Sequence, residues 1–162
     1  MATGRSSQLT RQIGEHLVVA KLGRLGYIAS PFAGNVPEFD VLIADDKGRA
    51  IPVQVKAING ISWQFRVNAF LDIEILDEVQ QIKGERKLNN PNLICIFVLL
   101  SEDENDQFFI FRLKDLQAFF LQNYKGGRRP RNPQSMHCAI FPKDLARFKD
   151  NWKLIEQALN ET

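Results

Sequence analysis

Four polar residues stand where the first third of the chain otherwise reads as a helix followed by a half-buried sheet: Glu15, Asp40, Gln54 and Lys56. Asp40 opens the apolar run Val41-Leu42-Ile43-Ala44, while Gln54 and Lys56 close the alternating run Ala50-Ile51-Pro52-Val53-Gln54-Val55-Lys56. Residues 39–56 read as a hairpin with Asp45-Asp46-Lys47-Gly48-Arg49 as its loop, which sets position 40 opposite position 54. Cross-strand partners and every second residue share a face, so Asp40, Gln54 and Lys56 converge at the open end of the hairpin. Glu15 falls at the edge of a helical apolar stripe and can point toward the same end. Such a group suits hydrolysis of a phosphodiester. Mg²⁺ takes one or two carboxylates and fills its other positions with water and phosphate oxygens. Asp40 and Glu15 would hold Mg²⁺ or Mn²⁺, with Gln54 adding a weaker carbonyl oxygen. Lys56 would neutralise charge developing on phosphorus or position the attacking water. Singly, each residue has an ordinary structural explanation as well: Asp40 as a strand cap or turn acceptor, Lys56 as a solvated strand end, Glu15 as a helix-surface charge. His16, about 100° around the helix from Glu15, reads as a surface or packing residue.

The elements that must position these groups are legible in outline. Leu9, Ile13, Leu17, Ala20 and Leu25, with Val18 and Leu22 widening the stripe, predict one buried helix face over 9–25, and Gly26 is placed for a left-handed cap. Pro52 confines its strand to a place where one backbone donor is spared. Residues 61–76 predict a third strand and an irregular stretch, and the polar residues 77–92 a short helix and loop. Leu93–Leu100 is apolar enough for a central strand. Phe108–Leu113 predicts another strand, Lys114–Tyr124 a helix, Ala139–Phe141 a last strand and Pro142–Leu159 a helix.

In order and type, the chemical residues resemble the PD-(D/E)xK nuclease superfamily. Gly14-Glu15 on the first helix, Pro37-Glu38-Phe39-Asp40 opening a strand and Val53-Gln54-Val55-Lys56 on the next are similar to its small archaeal Holliday-junction-resolvase-like and homing-endonuclease-like branches. The resemblance covers residues 9–58 and implies an α/β, restriction-endonuclease-like fold, a central mixed sheet flanked by helices. It also implies a nuclease site in which Glu15, Asp40 and Gln54 surround Mg²⁺ and Lys56 completes the catalytic set. The chain departs from the commonest pattern in two places: Gln54 stands where most members carry Asp or Glu, and two residues separate Pro37 from Asp40. The expected activity is therefore a metal-dependent endonuclease acting on DNA. A nucleic-acid-binding or interaction module that keeps the fold with weak or lost catalysis is the alternative that Gln54 favours.

In the second half, Lys125-Gly126-Gly127-Arg128-Arg129-Pro130-Arg131 carries four positive charges and no negative one, on a glycine-rich loop. Lys125, Arg128, Arg129 and Arg131 are the candidate phosphate contacts, since guanidinium forks bind phosphate bidentately, and His137 could join them or be structural. The acidic runs 72–78 and 102–106 would repel a polyanion and are expected to lie away from this loop. Phe108-Phe109-Ile110-Phe111 and Phe119-Phe120 follow strand and helix periods and read as core rather than stacking platforms.

Length and composition set the limits. The 162 residues, 44% of them hydrophobic and 25% charged, suit one domain with a single core spanning 1–162. A formal charge of +2 is too mild to mark a nucleic-acid binder by total charge, so any electrostatic footprint is local, and an interaction domain with no nucleic-acid role stays open. Cys95 and Cys138 form no CxxC or metal-type repeat, which suits free thiols in a reducing, cytoplasmic compartment. No apolar run approaches the ~20 residues of a membrane span, so no membrane partner is expected. Paired nicks across a duplex or junction would be made most easily by a homodimer.

Overall fold

The computed structural model describes residues 4–34 and 36–162. Its elements follow in chain order as α1 (Gly4–Arg24), β1 (Ile28–Pro31), β2 (Val41–Ala44), β3 (Ala50–Ile58), β4 (Trp63–Arg66), β5 (Leu71–Leu76), β6 (Val79–Glu85), β7 (Ile94–Leu99), β8 (Gln107–Arg112), α2 (Leu113–Tyr124), β9 (His137–Ile140) and α3 (Lys153–Asn160). The chain divides into two compact units, one built from 1–62, 93–111 and 141–162, the other from 63–92 and 112–140.

The first unit is an α/β layer around a mixed sheet of five strands in the order β1-β2-β3-β7-β8. β1, β2 and β3 pair antiparallel in sequence, and β7 then joins β3 in parallel, with Val53 opposite Ile94 and Ile58 opposite Leu99. Pro52 fits because pairing with β7 begins only at Val53, one residue later. Val53, Val55, Ile94, Ile96, Val98 and Ile110 turn one face of the sheet toward Val18 and Leu22 of α1 and Ile155 and Leu159 of α3, forming the core of this unit. On the other face Phe97 and Phe111 are buried, their rings 4.8 Å apart edge to face, and Phe148 stacks on Phe111 at 5.2 Å. Ile94–Val98 is buried at every residue, as a central parallel strand should be.

The buried stripe of α1 differs from the one its leucines suggest. Thr10, Gly14, Val18 and Leu22 face the sheet, whereas Leu9, Ile13 and Leu25 are 48%, 47% and 44% exposed. Gly14 is the cause. A Cβ built there would lie 2.3 Å from the Cβ of Ala57, so only glycine lets the helix backbone settle onto β3, and the contact face turns toward it. At the far end Gly26 takes φ of 92° and the Tyr27 N–H reaches back to the Leu22 carbonyl at 3.0 Å, the expected left-handed cap.

The second unit pairs β4 with β9 and β5 with β6. Trp63, Phe70, Leu71, Leu116, Phe120, Tyr124 and Ile140 are buried, and Phe65, Phe70 and Phe120 pack ring against ring at 5.0 to 6.2 Å. The polar stretch after Leu76 is a strand, β6, rather than a short helix. Asp77 and Glu78 both take positive φ, 50° and 64°, and close a two-residue hairpin between Leu76 and Val79. The last helical stretch is also divided: Pro142–Phe148 is a 3₁₀ helix, and α3 begins only at Lys153.

Candidate functional site

The hairpin that delivers Asp40 is organised by its own loop. Asp45 Oδ1 accepts the N–H groups of Lys47 and Arg49 at 3.0 and 2.9 Å, and Gly48 supplies a φ of 77°. Val41 pairs with Val53, so the register carried one step further sets Asp40 opposite Gln54. At that step the Asp40 N–H donates to the Val53 carbonyl at 2.9 Å, and Asp40 Oδ2 accepts the Val55 N–H at 2.9 Å. The carboxylate is thereby held at the rim of β3. Its other oxygen, Oδ1, accepts from Arg11 Nη2 at 3.1 Å, and Arg11 Nε donates to Glu15 Oε1 at 2.9 Å. One guanidinium on α1 thus spans both carboxylates. Their side chains are only 15% (Glu15) and 12% (Asp40) exposed, while that of Arg11 is 52% exposed. The hydrogen bond to Glu15 raises the Arg11 pKa above its ordinary value, against a smaller effect of burial and with the Glu15 and Asp40 charges adding to it.

Gln54 and Lys56 are half-buried on β3, opposite Cys95 and Phe97 of β7 in the register. They alternate with Val53 and Val55, which pack toward α1, so their side chains leave the strand on the other face. The structure therefore joins Glu15 and Asp40 through Arg11, and sets Gln54 and Lys56 on the strand whose backbone binds Asp40. Among the described residues, no three His, Cys, Asp or Glu side chains gather as a metal site. A concavity of about 250 Å³ opens between Ser7 and Thr10 of α1 and residues 57–60 at the end of β3, and none of Glu15, Asp40, Gln54 and Lys56 lines it. His16 is exposed.

The basic segment belongs to the second unit, and its members differ in what they offer. Gly126 and Gly127 take φ of 84° and 87°, turning the chain after α2. Arg128 is held inward: it exchanges two backbone hydrogen bonds with Gln80, at 2.7 and 2.9 Å, and its Nη1 donates to the Tyr124 hydroxyl at 2.9 Å. Lys125, Arg129, Arg131 and His137 are exposed. Gln80, fully buried, donates from Nε2 to the carbonyls of Pro133 and Ser135 at 2.8 and 2.7 Å, tying down the rest of the segment. The expected separation of acidic and basic runs does not hold here. The β5–β6 turn brings Glu78 to 3.7 Å from Arg129, because the same hairpin that carries the acidic residues also supplies Gln80 as partner to Arg128.

No protein-family model matches the chain, and no curated protein matches it. A solved structure does: the bacterial homing endonuclease I-Ssp6803I, with a TM-score of 0.53 and 16% sequence identity, over 94% of this chain and 95% of that one. The fold is nuclease-like. At that identity the likeness speaks for the fold alone. No helix among the described residues is long and apolar enough to cross a membrane.

Within this nuclease-like fold, two functional candidates escaped the sequence reading. Arg11 had a signal, since an Arg four residues before a Glu on a helix forms an i,i+4 pair. Its reach to Asp40, 29 positions away, had none. Gln80 sits in a polar segment that reads as a short helix and loop, and its burial follows from the β5–β6 pairing and its bonds to Arg128, Pro133 and Ser135.

Proposed function

We propose that this chain is a nuclease of the PD-(D/E)xK type in its Gln-x-Lys form, hydrolysing phosphodiester bonds in DNA with Mg²⁺ or Mn²⁺. The observation that carries the reading is the convergence of Glu15 and Asp40 on one guanidinium at the open end of the β2–β3 hairpin, in a nuclease-like fold. Two carboxylates close enough to share the fork of Arg11 are close enough to share a divalent cation, and hard oxygens are what Mg²⁺ takes. Glu15 and Asp40 would hold the ion at the rim of β3, and Gln54, whose side chain leaves β3 on the face away from α1, would add a neutral carbonyl from that side. When bound, the ion supplies Lewis-acid polarisation of the phosphoryl oxygen and a lowered pKa for a water molecule. Asp40 keeps its aim because the Val55 N–H fixes one of its oxygens. Lys56 stabilises charge developing on the phosphate or positions the nucleophile. Lys125, Arg129, Arg131 and His137 are assigned to the sugar-phosphate backbone, where such contacts give affinity without sequence preference, and Arg128 would join them with the part of its guanidinium that Tyr124 does not hold. Cys95 and Cys138, both buried thiols, suit a reducing compartment such as the cytoplasm. Two copies related by a two-fold axis would make paired cuts.

A second reading has its own support. Arg11 already pairs with both carboxylates and offsets half of their charge, and Gln54 brings no charge, so the chain would serve as a nucleic-acid-binding module with weak or lost catalysis. Supercoiled, linear, branched and single-stranded DNA, and RNA, incubated with the protein and Mg²⁺ or Mn²⁺ beside Asp40→Ala and Lys56→Ala, decide between the two. Cleavage by wild type and its loss in both variants supports the nuclease. Salt-dependent binding without cleavage under either metal removes it in favour of the module.

A further inference from the structure

The geometry points to Arg11 as a resident counter-ion that exchanges with the divalent cation for Glu15 and Asp40. This rests on the metal-centre reading given above and deepens it. The two carboxylates are mostly shielded from solvent, and shielded like charges repel more strongly than solvated ones. The guanidinium holds that repulsion down, with one nitrogen on each acid. Both oxygens of Asp40 are engaged, Oδ2 by the Val55 backbone and Oδ1 by Arg11. The backbone N–H is fixed by the strand, so a cation seeking an Asp40 oxygen meets the one that Arg11 holds. Arg11 can yield it cheaply. Its side chain is half exposed, it grows from the outer flank of α1, and an ion pair with so exposed a partner is weak. Released, the guanidinium stays one helical turn from Glu15, beside the carboxylates, and carries a fork suited to a phosphate oxygen. Arg11 is thus a positioning residue that keeps the carboxylates together before the cation arrives and competes with it for them.

The test is Mn²⁺ binding to the full chain without nucleic acid, read from the electron paramagnetic resonance signal of free Mn²⁺, for wild type, Arg11→Gln, Arg11→Lys and Asp40→Asn. Exchange predicts that Arg11→Gln binds Mn²⁺ about fivefold more tightly than wild type, the scale of a lost weak ion pair. Arg11→Lys, which keeps the charge and loses the fork, should fall between them, and Asp40→Asn should lose the binding. Mn²⁺ should also raise the melting temperature of Arg11→Gln more than that of wild type. A purely structural Arg11 would lower melting temperature equally with and without Mn²⁺. Equal or weaker binding by both Arg11 variants, with Asp40→Asn still abolishing it, overturns the exchange and leaves the metal centre standing. Binding that Asp40→Asn does not disturb, or no binding by any of the four proteins, overturns the metal centre and the exchange together.

Discussion

The Asp40 carboxylate accepts the backbone N–H of Val55 at 2.9 Å, so a side chain takes the place of the ladder partner that β2 no longer offers beyond Val41. The proposed metal ligand is therefore also a strand cap, and the two roles separate by substitution. Asp40→Asn keeps an oxygen that can accept the Val55 N–H, whereas Asp40→Ala removes it. Urea denaturation should show Asp40→Ala less stable than wild type by about 1–3 kcal/mol and Asp40→Asn by clearly less. Cleavage should fall about a hundredfold or more in both. Equal destabilisation by the two variants would refute the capping role.

Gly14 and Gly23 lie on the same helix and should respond oppositely to alanine. At Gly14 the added methyl meets Ala57 at 2.3 Å, and α1 must lift from β3. We expect a loss of about 1–3 kcal/mol, with cleavage falling although every site residue is intact, because Glu15 moves with the helix. At Gly23 a Cβ meets nothing within 4 Å, and the better helix former should stabilise by up to about 1 kcal/mol. Thermal melts of the two variants in parallel check the pair; a neutral Gly14→Ala would show that the close approach is unimportant.

What the sequence made legible was local. The 45–49 loop and the alternation either side of it gave the 40–54 register, since turn chemistry and period-two patterning act within about twenty residues. Counting leucines misplaced the buried stripe of α1, because the residues that face the sheet include Thr10 and Gly14, and what selects Gly14 is Ala57, a residue far along the chain. The β5–β6 hairpin was hidden by its turn, because after Asp77 it puts Glu78, a type that seldom takes positive φ, where a glycine would have signalled it. With that hairpin unseen, neither the burial of Gln80 nor the approach of Glu78 to Arg129 could be read.

Glu78 restrains the basic segment electrostatically. Both partners of its ion pair with Arg129 are largely exposed, so the pair adds little to stability. Glu78→Gln should leave the melting temperature within about a degree. It should tighten DNA binding two- to threefold at low salt and steepen the dependence of log K on log salt by up to about one. Fluorescence anisotropy across a salt series measures both, and Arg129→Gln in the same background should cancel the gain. Unchanged affinity would place Arg129 outside the nucleic-acid interface.

Burial raises the Cys138 thiol from 9.0 to about 11, with Arg128 acting weakly the other way. The folded chain therefore holds its thiol proton to higher pH than the unfolded chain. Between about pH 9 and 11 the unfolded state binds fewer protons, and stability must fall as pH rises; below 9 the thiol contributes no slope. Tyr124, whose pKa burial also raises, adds to the decline above its ordinary value of 10.0. Melting temperatures from pH 7 to 11 should show a shallower alkaline decline in Cys138→Ala than in wild type. Identical slopes would remove Cys138 as the titrating group.

The second unit is made of two excursions, 63–92 and 112–140, from a chain that returns each time to the first. Neither unit is a contiguous stretch, so no single truncation yields either one whole, and a terminal deletion series would report misfolding rather than the location of an activity. The same arrangement frees the molecule in another respect. The residues that carry Glu15, Asp40, Gln54 and Lys56 all precede the first departure, whereas the basic segment lies within the second. Substitutions, insertions and exchanges can accumulate in either excursion without shifting one residue in the numbering or register of the β2–β3 hairpin, so the basic segment can diversify while the hairpin that carries Asp40, Gln54 and Lys56 is inherited unchanged.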